Sequence, residues 1–258
     1  MMCVSPITVK VGKLRARYEK VPCGKCHVCK SKDRTGWSVR LEEELRNCDL
    51  VALFITLTYA TPPLPGVNIE DIQKWLKRLR KRLSHPIKYF LTAEYGSTTF
   101  RPHYHCILFG VKQGDEDLIL RTWTHGFVCI GTATPQSIAY VVKYLDKDVC
   151  TPDGCNAPFR LMSKGLGKTY VERMSSWHQD DVDQRVYVPG KGGTGRSMPR
   201  YIKNKIYNET QRKHLSVQAK KRFMEEVSDN LDEIRSRHIS NVQEGERRYR
   251  RQCEKRAL

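Results

Sequence analysis

The sequence predicts an α+β fold: a split βαβ antiparallel sheet with helices on one face, preceded by a Cys-rich segment and followed by a basic, mostly helical extension. Three observations predict it. Between residues 50 and 150 the apolar pattern switches between strand and helix period in the order β-α-β-β-α-β, with one further helix. The first 30 residues are turn-rich and hold four cysteines. Beyond residue 150 two turn-rich stretches give way to a helix-prone tail of alternating charge. The implied division is 1–49, 50–150 and 151–258.

The elements follow in order. SKDRTGWSVRLEEELRN reads as a helix, with Trp37, Leu41, Glu44 and Leu45 at spacings of three and four. Val51 to Tyr59 (VALFITLTY) is a β-branched and aromatic run of strand length, stopped by TPPLPG. Asn68 is placed to cap a helix with Glu70 and Asp71 in its first turn and Ile69, Ile72, Leu76, Leu79 and Leu83 as its apolar stripe. Its opposite face is Lys and Arg, and Pro86 follows it. IKYFLTAEY and HYHCILF then read as a hairpin. A short helix near Asp117–Trp123, a strand Phe127–Ile130 and a helix from Pro135 to about Asp146 complete the set.

Composition narrows the partners. The chain has 258 residues, with 46 Lys and Arg against 28 Asp and Glu, a formal net charge of +18. A surplus of that size on a small protein favours a polyanion, and nucleic acid is the first candidate. No run of eighteen apolar residues is present and the first twenty residues lack an apolar signal core, so neither a membrane partner nor export is expected. The ten cysteines are then expected to be reduced, some of them held by metal.

The sharpest local signal is HYH. In a strand His103 and His105 project to one face with Tyr104 on the other, and two imidazoles at that spacing can share a metal ion. If the two strands pair, Glu94 lies beside them and supplies a carboxylate, making a three-ligand site with open positions. Such a site on a basic protein suits Lewis-acid polarisation of a phosphate oxygen by Mg²⁺ or Mn²⁺. The plainer alternative is a pair of unrelated surface histidines. In AYVVKYLDK, Tyr140 and Tyr144 are four apart and share a helical face, each with a lysine three residues on, Lys143 and Lys147. A phenol, with an ordinary pKa near 10, needs help to act as a nucleophile, and a metal or ammonium group can give it. Here the alternative is packing on an amphipathic helix.

Taken together, VPCGKCHVCK, FITLTY, IEDIQKWLKRLRKRL, AEYG with RPHYHCILFG, GFVCIG and AYVVKYLDK resemble the replication initiation proteins of small single-stranded DNA phages, Microviridae of gokushovirus type, within the HUH endonuclease superfamily. The resemblance covers most of residues 20 to 150. It implies a ferredoxin-like HUH core, with His103, His105 and Glu94 as metal ligands and Tyr140 and Tyr144 as nucleophiles. It also implies nicking of origin DNA with a 5′-phosphotyrosine intermediate, and rejoining in rolling-circle replication in the host bacterial cytoplasm. The lysines would balance phosphate charge or protonate the leaving group. Single-stranded origin DNA is the implied partner, with helicase and polymerase supplied by the host.

Other motifs are weighed beside this one. CGKCHVC gives three thiols, Cys23, Cys26 and Cys29, and Cys3 or His27 can complete a tetrahedral structural Zn²⁺ site; plain reduced thiols are the alternative. Cys150 and Cys155 read as loop thiols. GLGKT lacks the first glycine of a phosphate-binding loop, Met162 standing in its place, so no NTPase is expected. Lys74, Lys77, Arg78 and Lys81 on the predicted basic helix, and Lys191 and Arg196 in the Gly-rich PGKGGTGRS stretch, are the expected phosphate contacts. Two further readings stay open: an HUH transposase or relaxase, and a noncatalytic zinc-stabilised nucleic-acid-binding protein.

Overall fold

The structure, a computed structural model, describes residues 3–12, 17–96, 98–145 and 151–229, together with six single positions between 236 and 247. Contacts divide the chain into two compact units, Trp37–Ser176 and the combination of Met1–Gly36 with Trp177–Leu258.

The first unit holds the sheet. Its strands are β3 (Val51–Tyr59), β4 (Lys88–Tyr95), β5 (Pro102–Val111), β6 (Gly126–Thr132) and β7 (Arg160–Met162), all antiparallel, in the order β6-β3-β5-β4-β7. From β3 to β6 the strands have the split βαβ topology expected from the pattern. Their two connecting helices, α2 (Ile69–Arg82) and α3 (Glu116–Thr122), share one face of the sheet as predicted.

Alternation explains the packing. Leu53, Ile55 and Leu57 of β3, Leu91 and Ala93 of β4, and Tyr104, Cys106 and Leu108 of β5 turn to the face covered by Ile72, Trp75, Leu76 and Leu79 of α2 and Ile119 of α3. Each fully buried aliphatic or aromatic side chain there contributes roughly 1.5–3 kcal/mol of burial free energy. α2 starts where Asn68 accepts a hydrogen bond from the Glu70 N–H at 2.9 Å, and its acidic first turn and basic last turn both complement the helix dipole.

The other face is also covered, which the order of elements did not reveal. α1 (His27–Arg46) contributes Trp37 and Leu41, and α4 (Pro135–Lys143) contributes Ile138, Val141 and Val142, packed on Ala52, Phe90, Ile107 and Phe109. The central strands are apolar on both sides, the signature of a sheet with two covered faces. α4 is shorter than predicted, with Tyr144 at its C-cap. Lys147 and Cys150 lie outside the described residues. Gly167 of the GLGKT stretch donates its N–H to Glu44 at 2.7 Å, so an internal carboxylate already occupies a donor that a phosphate would need.

In the second unit, residues 1–30 are more than turns. β1 (Ile7–Val11) and β2 (Arg17–Val21) pair as an antiparallel ribbon. The rest is the end of α5 (Lys168–Asp180), the short ribbon of β8 (Tyr187–Pro189) and β9 (Gly195–Ser197), α6 (Arg200–Ile206) and α7 (Glu209–Asp229). His178 and Tyr207 are buried there on the Arg185 carbonyl, at 2.5 and 2.8 Å.

Candidate active site

Register brings the predicted ligands together. In β5, His103 pairs with Glu94 of β4 and with Thr58 of β3, and His105 pairs with Thr92 and Thr56. Residues in register share a face, so both imidazoles and the carboxylate rise from the α4 side of the sheet. His103 Nε2 lies 2.6 Å and His105 Nε2 2.9 Å from the same oxygen, Glu94 Oε1. One ligand atom from each of the three residues falls within 4.8 Å of the others.

The outer ring nitrogens fix what this cluster can hold. His103 Nδ1 lies 3.0 Å from the Arg101 carbonyl, which can only accept, so Nδ1 carries a proton. His105 Nδ1 is 3.1 Å from the Thr56 hydroxyl. Both Nε2 atoms are thereby aimed at a carboxylate oxygen, and the neutral ring of His103 would point a lone pair at it. Positive charge, a proton or a metal ion, has to lie between them. Burial alone would raise the Glu94 pKa, but hydrogen bonds from His103 and His105 dominate and hold its carboxyl down to about 2. An anionic carboxylate and two imidazole nitrogens whose far sides are already hydrogen-bonded fit a divalent cation with positions left open for substrate.

The tyrosines face this cluster. α4 begins with a capping box in which the Thr134 hydroxyl accepts from the Ser137 N–H and the Ser137 hydroxyl from the Thr134 N–H, with Pro135 in the first turn. Ile138, Val141 and Val142 pin the helix to the sheet, which leaves Tyr140 and Tyr144 over the histidines. Tyr140 Oη is 3.5 Å from His105 Nε2 and its ring stands edge-on to that imidazole at 5.0 Å. Tyr144 stacks on His105 at 5.9 Å. Burial, then hydrogen bonding to Tyr140 and the charge of Glu94, raise the Tyr144 pKa above the ordinary tyrosine value. Tyr140 is the more open of the two, 37% exposed. Lys143 Nζ lies 4.2 Å over the Tyr140 ring and 5.2 Å from that of Tyr144.

Residues 52–149 match a family model described as replication-associated protein ORF2. Over 225 residues the chain is 31% identical to the Replication-associated protein ORF2 of Spiroplasma virus 4, covering 75% of this chain and 69% of that protein. The chain belongs to this family of phage replication-associated proteins. It is also 27% identical over 258 residues to the Replication-associated protein VP4 of Bdellovibrio phage phiMH2K, covering 88% of this chain and 79% of that protein. It shares 31% identity over 217 residues with the Replication-associated protein ORF4 of Chlamydia phage 1, covering 71% of this chain and 53% of that protein. No solved structure matches the chain. The resemblance to phage replication initiators carried by the sequence motifs is borne out.

Other predicted residues of this replication-associated protein lie elsewhere. α2 packs on the opposite face of the sheet from the histidines, so Lys74, Lys77, Arg78 and Lys81 do not line the tyrosine site. Arg78 is partly buried and donates to the Thr122 carbonyl at 3.0 Å, while Lys74 pairs with Glu70 at 3.1 Å. Lys191 and Arg196 belong to the second unit, in the loop after β8 and in β9.

The cysteines also converge. Cys3, Cys23, Cys26 and Cys29 bring their sulfurs within 4.8 Å of one another, so Cys3 takes the fourth place that His27 was also expected to be able to fill. Cys3 Sγ is 3.5 Å from Cys23 Sγ and 3.8 Å from Cys26 Sγ, close to the ~3.8 Å edge of a sulfur tetrahedron around zinc at ~2.3 Å. The Cys26 N–H, with the Ser5 hydroxyl and the Lys25 N–H, lowers the Cys23 pKa to about 5, whereas burial pushes the Cys29 thiol up to about 12.

Sequence reasoning missed Thr56, which orients His105, and Phe54, which stacks on that imidazole at 5.6 Å. Both lie in FITLTY. Strand alternation places them on the histidine face, but only the β3–β5 register reveals which histidine they serve.

Proposed function

We propose that the chain is a metal-dependent HUH-type nicking and strand-transfer enzyme. It opens single-stranded origin DNA in rolling-circle replication of a small circular phage genome, within the host bacterial cytoplasm. The observation that carries this reading is the convergence of two tyrosines on a His-His-Glu cluster across one face of the sheet. Mg²⁺ or Mn²⁺ held by His103, His105 and Glu94 would supply Lewis-acid polarisation of the scissile phosphate; two imidazole nitrogens suit Mn²⁺ better than Mg²⁺, whose ligands are chiefly oxygens.

Tyr140 acts first in this reading. Its hydroxyl is the more exposed and stands beside His105, whereas Tyr144 is tied to Tyr140 and Glu94. A Tyr140 Oη–P bond forms as the P–O3′ bond breaks, and the phenol's proton ends on the departing 3′-hydroxyl. The phosphodiester energy stays in the 5′-phosphotyrosine. Lys143, whose ammonium lies over both rings, balances the charge on the phosphoryl oxygens. Tyr144 then cleaves the regenerated origin, and the freed 3′-hydroxyl attacks the first phosphotyrosine to close a circle. Unwinding and synthesis fall to a host helicase and polymerase.

The cysteine cluster, in the same reading, holds a structural Zn²⁺. Four thiolates at tetrahedral spacing leave no open position for chemistry.

Incubation with Mn²⁺ and end-labelled single-stranded origin DNA tests the cleavage reading. A covalent adduct that survives denaturation is expected in wild type and in Tyr144→Phe, and is expected to vanish in Tyr140→Phe. An adduct of undiminished yield in Tyr140→Phe overturns the order of the tyrosines. No adduct in wild type, with DNA binding intact, leaves the noncatalytic binding protein as the surviving reading.

A further inference from the structure

On the face that carries the histidines, edge strand β6 presents a surface that the protein's own core does not use. Val128 and Ile130 turn to the α2 side and pack in its core. Their neighbours Phe127, Cys129 and Gly131 turn the other way and are exposed. Phe127 is 65% exposed, although an aromatic ring is among the side chains that gain most from burial. Register fixes where it lies: Phe127 pairs with Thr58, and Thr58 pairs with His103, so ring and imidazole stand two strands apart on one face, about 10 Å at ordinary strand spacing.

Two local features build this arrangement. A Cβ at Gly126 would collide with the Ala60 nitrogen and the Thr58 oxygen, so only glycine lets β6 start against β3 and set Phe127 in that register. Arg101, two residues before His103, donates its guanidinium to the Tyr59 and Ala60 carbonyls, holding a fixed cation at the same end of the sheet.

We infer that Phe127 is a stacking platform for an unpaired base of the single-stranded substrate next to the scissile phosphate, with Arg101 beside it for the backbone. The inference rests on the nicking reading for which base is held, but binding itself is independent of cleavage. Every base has a π-face, so the platform is indifferent to sequence, and it aligns the strand with the metal cluster by gripping it two strands away. Loss of one such stack weakens binding roughly tenfold.

The test is fluorescence anisotropy of labelled dT15, read in a Tyr140→Phe/Tyr144→Phe background so that no turnover intrudes. Phe127→Ala is expected to weaken dT15 binding roughly tenfold with an unchanged salt slope, since every phosphate partner is kept. Phe127→Leu, which keeps apolar bulk without a stacking face, is expected to fail like alanine, and Phe127→Trp to restore binding. The introduced indole's emission, taken as the difference from the Phe127 protein, is expected to be quenched on adding dT15. Unchanged affinity in Phe127→Ala, or full rescue by leucine, overturns the platform. The adduct assay in the wild-type background is separate, so its failure would remove the nicking reading and leave the dT15 result to stand or fall alone.

Discussion

Thr56 shows how much of this site is set by a residue that performs no chemistry. Its hydroxyl meets His105 Nδ1 at 3.1 Å and leaves Nε2 as the nitrogen that faces Glu94. The Arg101 carbonyl does the same for His103. Partners of this kind typically matter by about 10–100-fold in metal affinity. Thr56→Val keeps the shape and removes the hydroxyl, and calorimetric titration with Mn²⁺ is expected to show a loss in that range. Affinity equal to wild type would mean that the Phe54 stack alone holds the ring.

Among the elements, the β1–β2 ribbon has the least of its own to hold it together. Its five-residue strands are mostly exposed, and an isolated two-stranded ribbon is at best marginal in water. Cys3 precedes it, Cys23 and Cys26 follow it, and Cys29 lies in the first turn of α1, so one ion binding all four sulfurs would tie both ends of the ribbon to the helix start. Zinc content by mass spectrometry is expected to be one per chain in wild type and absent in Cys23→Ser/Cys26→Ser, with a lowered melting temperature. Unchanged zinc in the double variant would sink the assignment. α4 is held differently, by its capping box and three buried aliphatic residues, which suits an element that must present two tyrosines in fixed positions.

For the whole molecule, the net charge of +18 is not gathered at the tyrosine site. The exposed residues of α2 include Lys74, Lys77, Arg80, Lys81 and Arg82, on the far side of the sheet from the tyrosines. Phosphates bound there belong to DNA away from the scissile bond. The triple variant Lys74→Gln/Lys77→Gln/Lys81→Gln is therefore expected to form adduct on a short origin oligonucleotide at the wild-type rate. On long single-stranded DNA it is expected to bind more weakly, with a salt slope smaller by about 0.7 for each phosphate that no longer meets a lysine. An equal loss on the short oligonucleotide would show that the strand wraps from one face to the other.

The local patterns were legible because they depend on period alone. Alternation put His103 and His105 on one face, i, i+4 spacing put Tyr140 and Tyr144 on one side of a helix, and the order of periods gave the split βαβ sheet. What the sequence could not decide was which face of the sheet each helix covers. The apolar stripes of α1 and α2 look alike until the central strands show apolar residues on both sides, so nothing local separates the basic helix from the tyrosine helix. Thr56 acts on a histidine 49 positions along the chain, and Phe127 reaches the histidine row only by way of Thr58, relations that no local window contains. Side-chain direction is fixed by local backbone geometry, whereas the partner a side chain meets is fixed by strand pairing, and pairing is settled only when the whole sheet closes over its two cores.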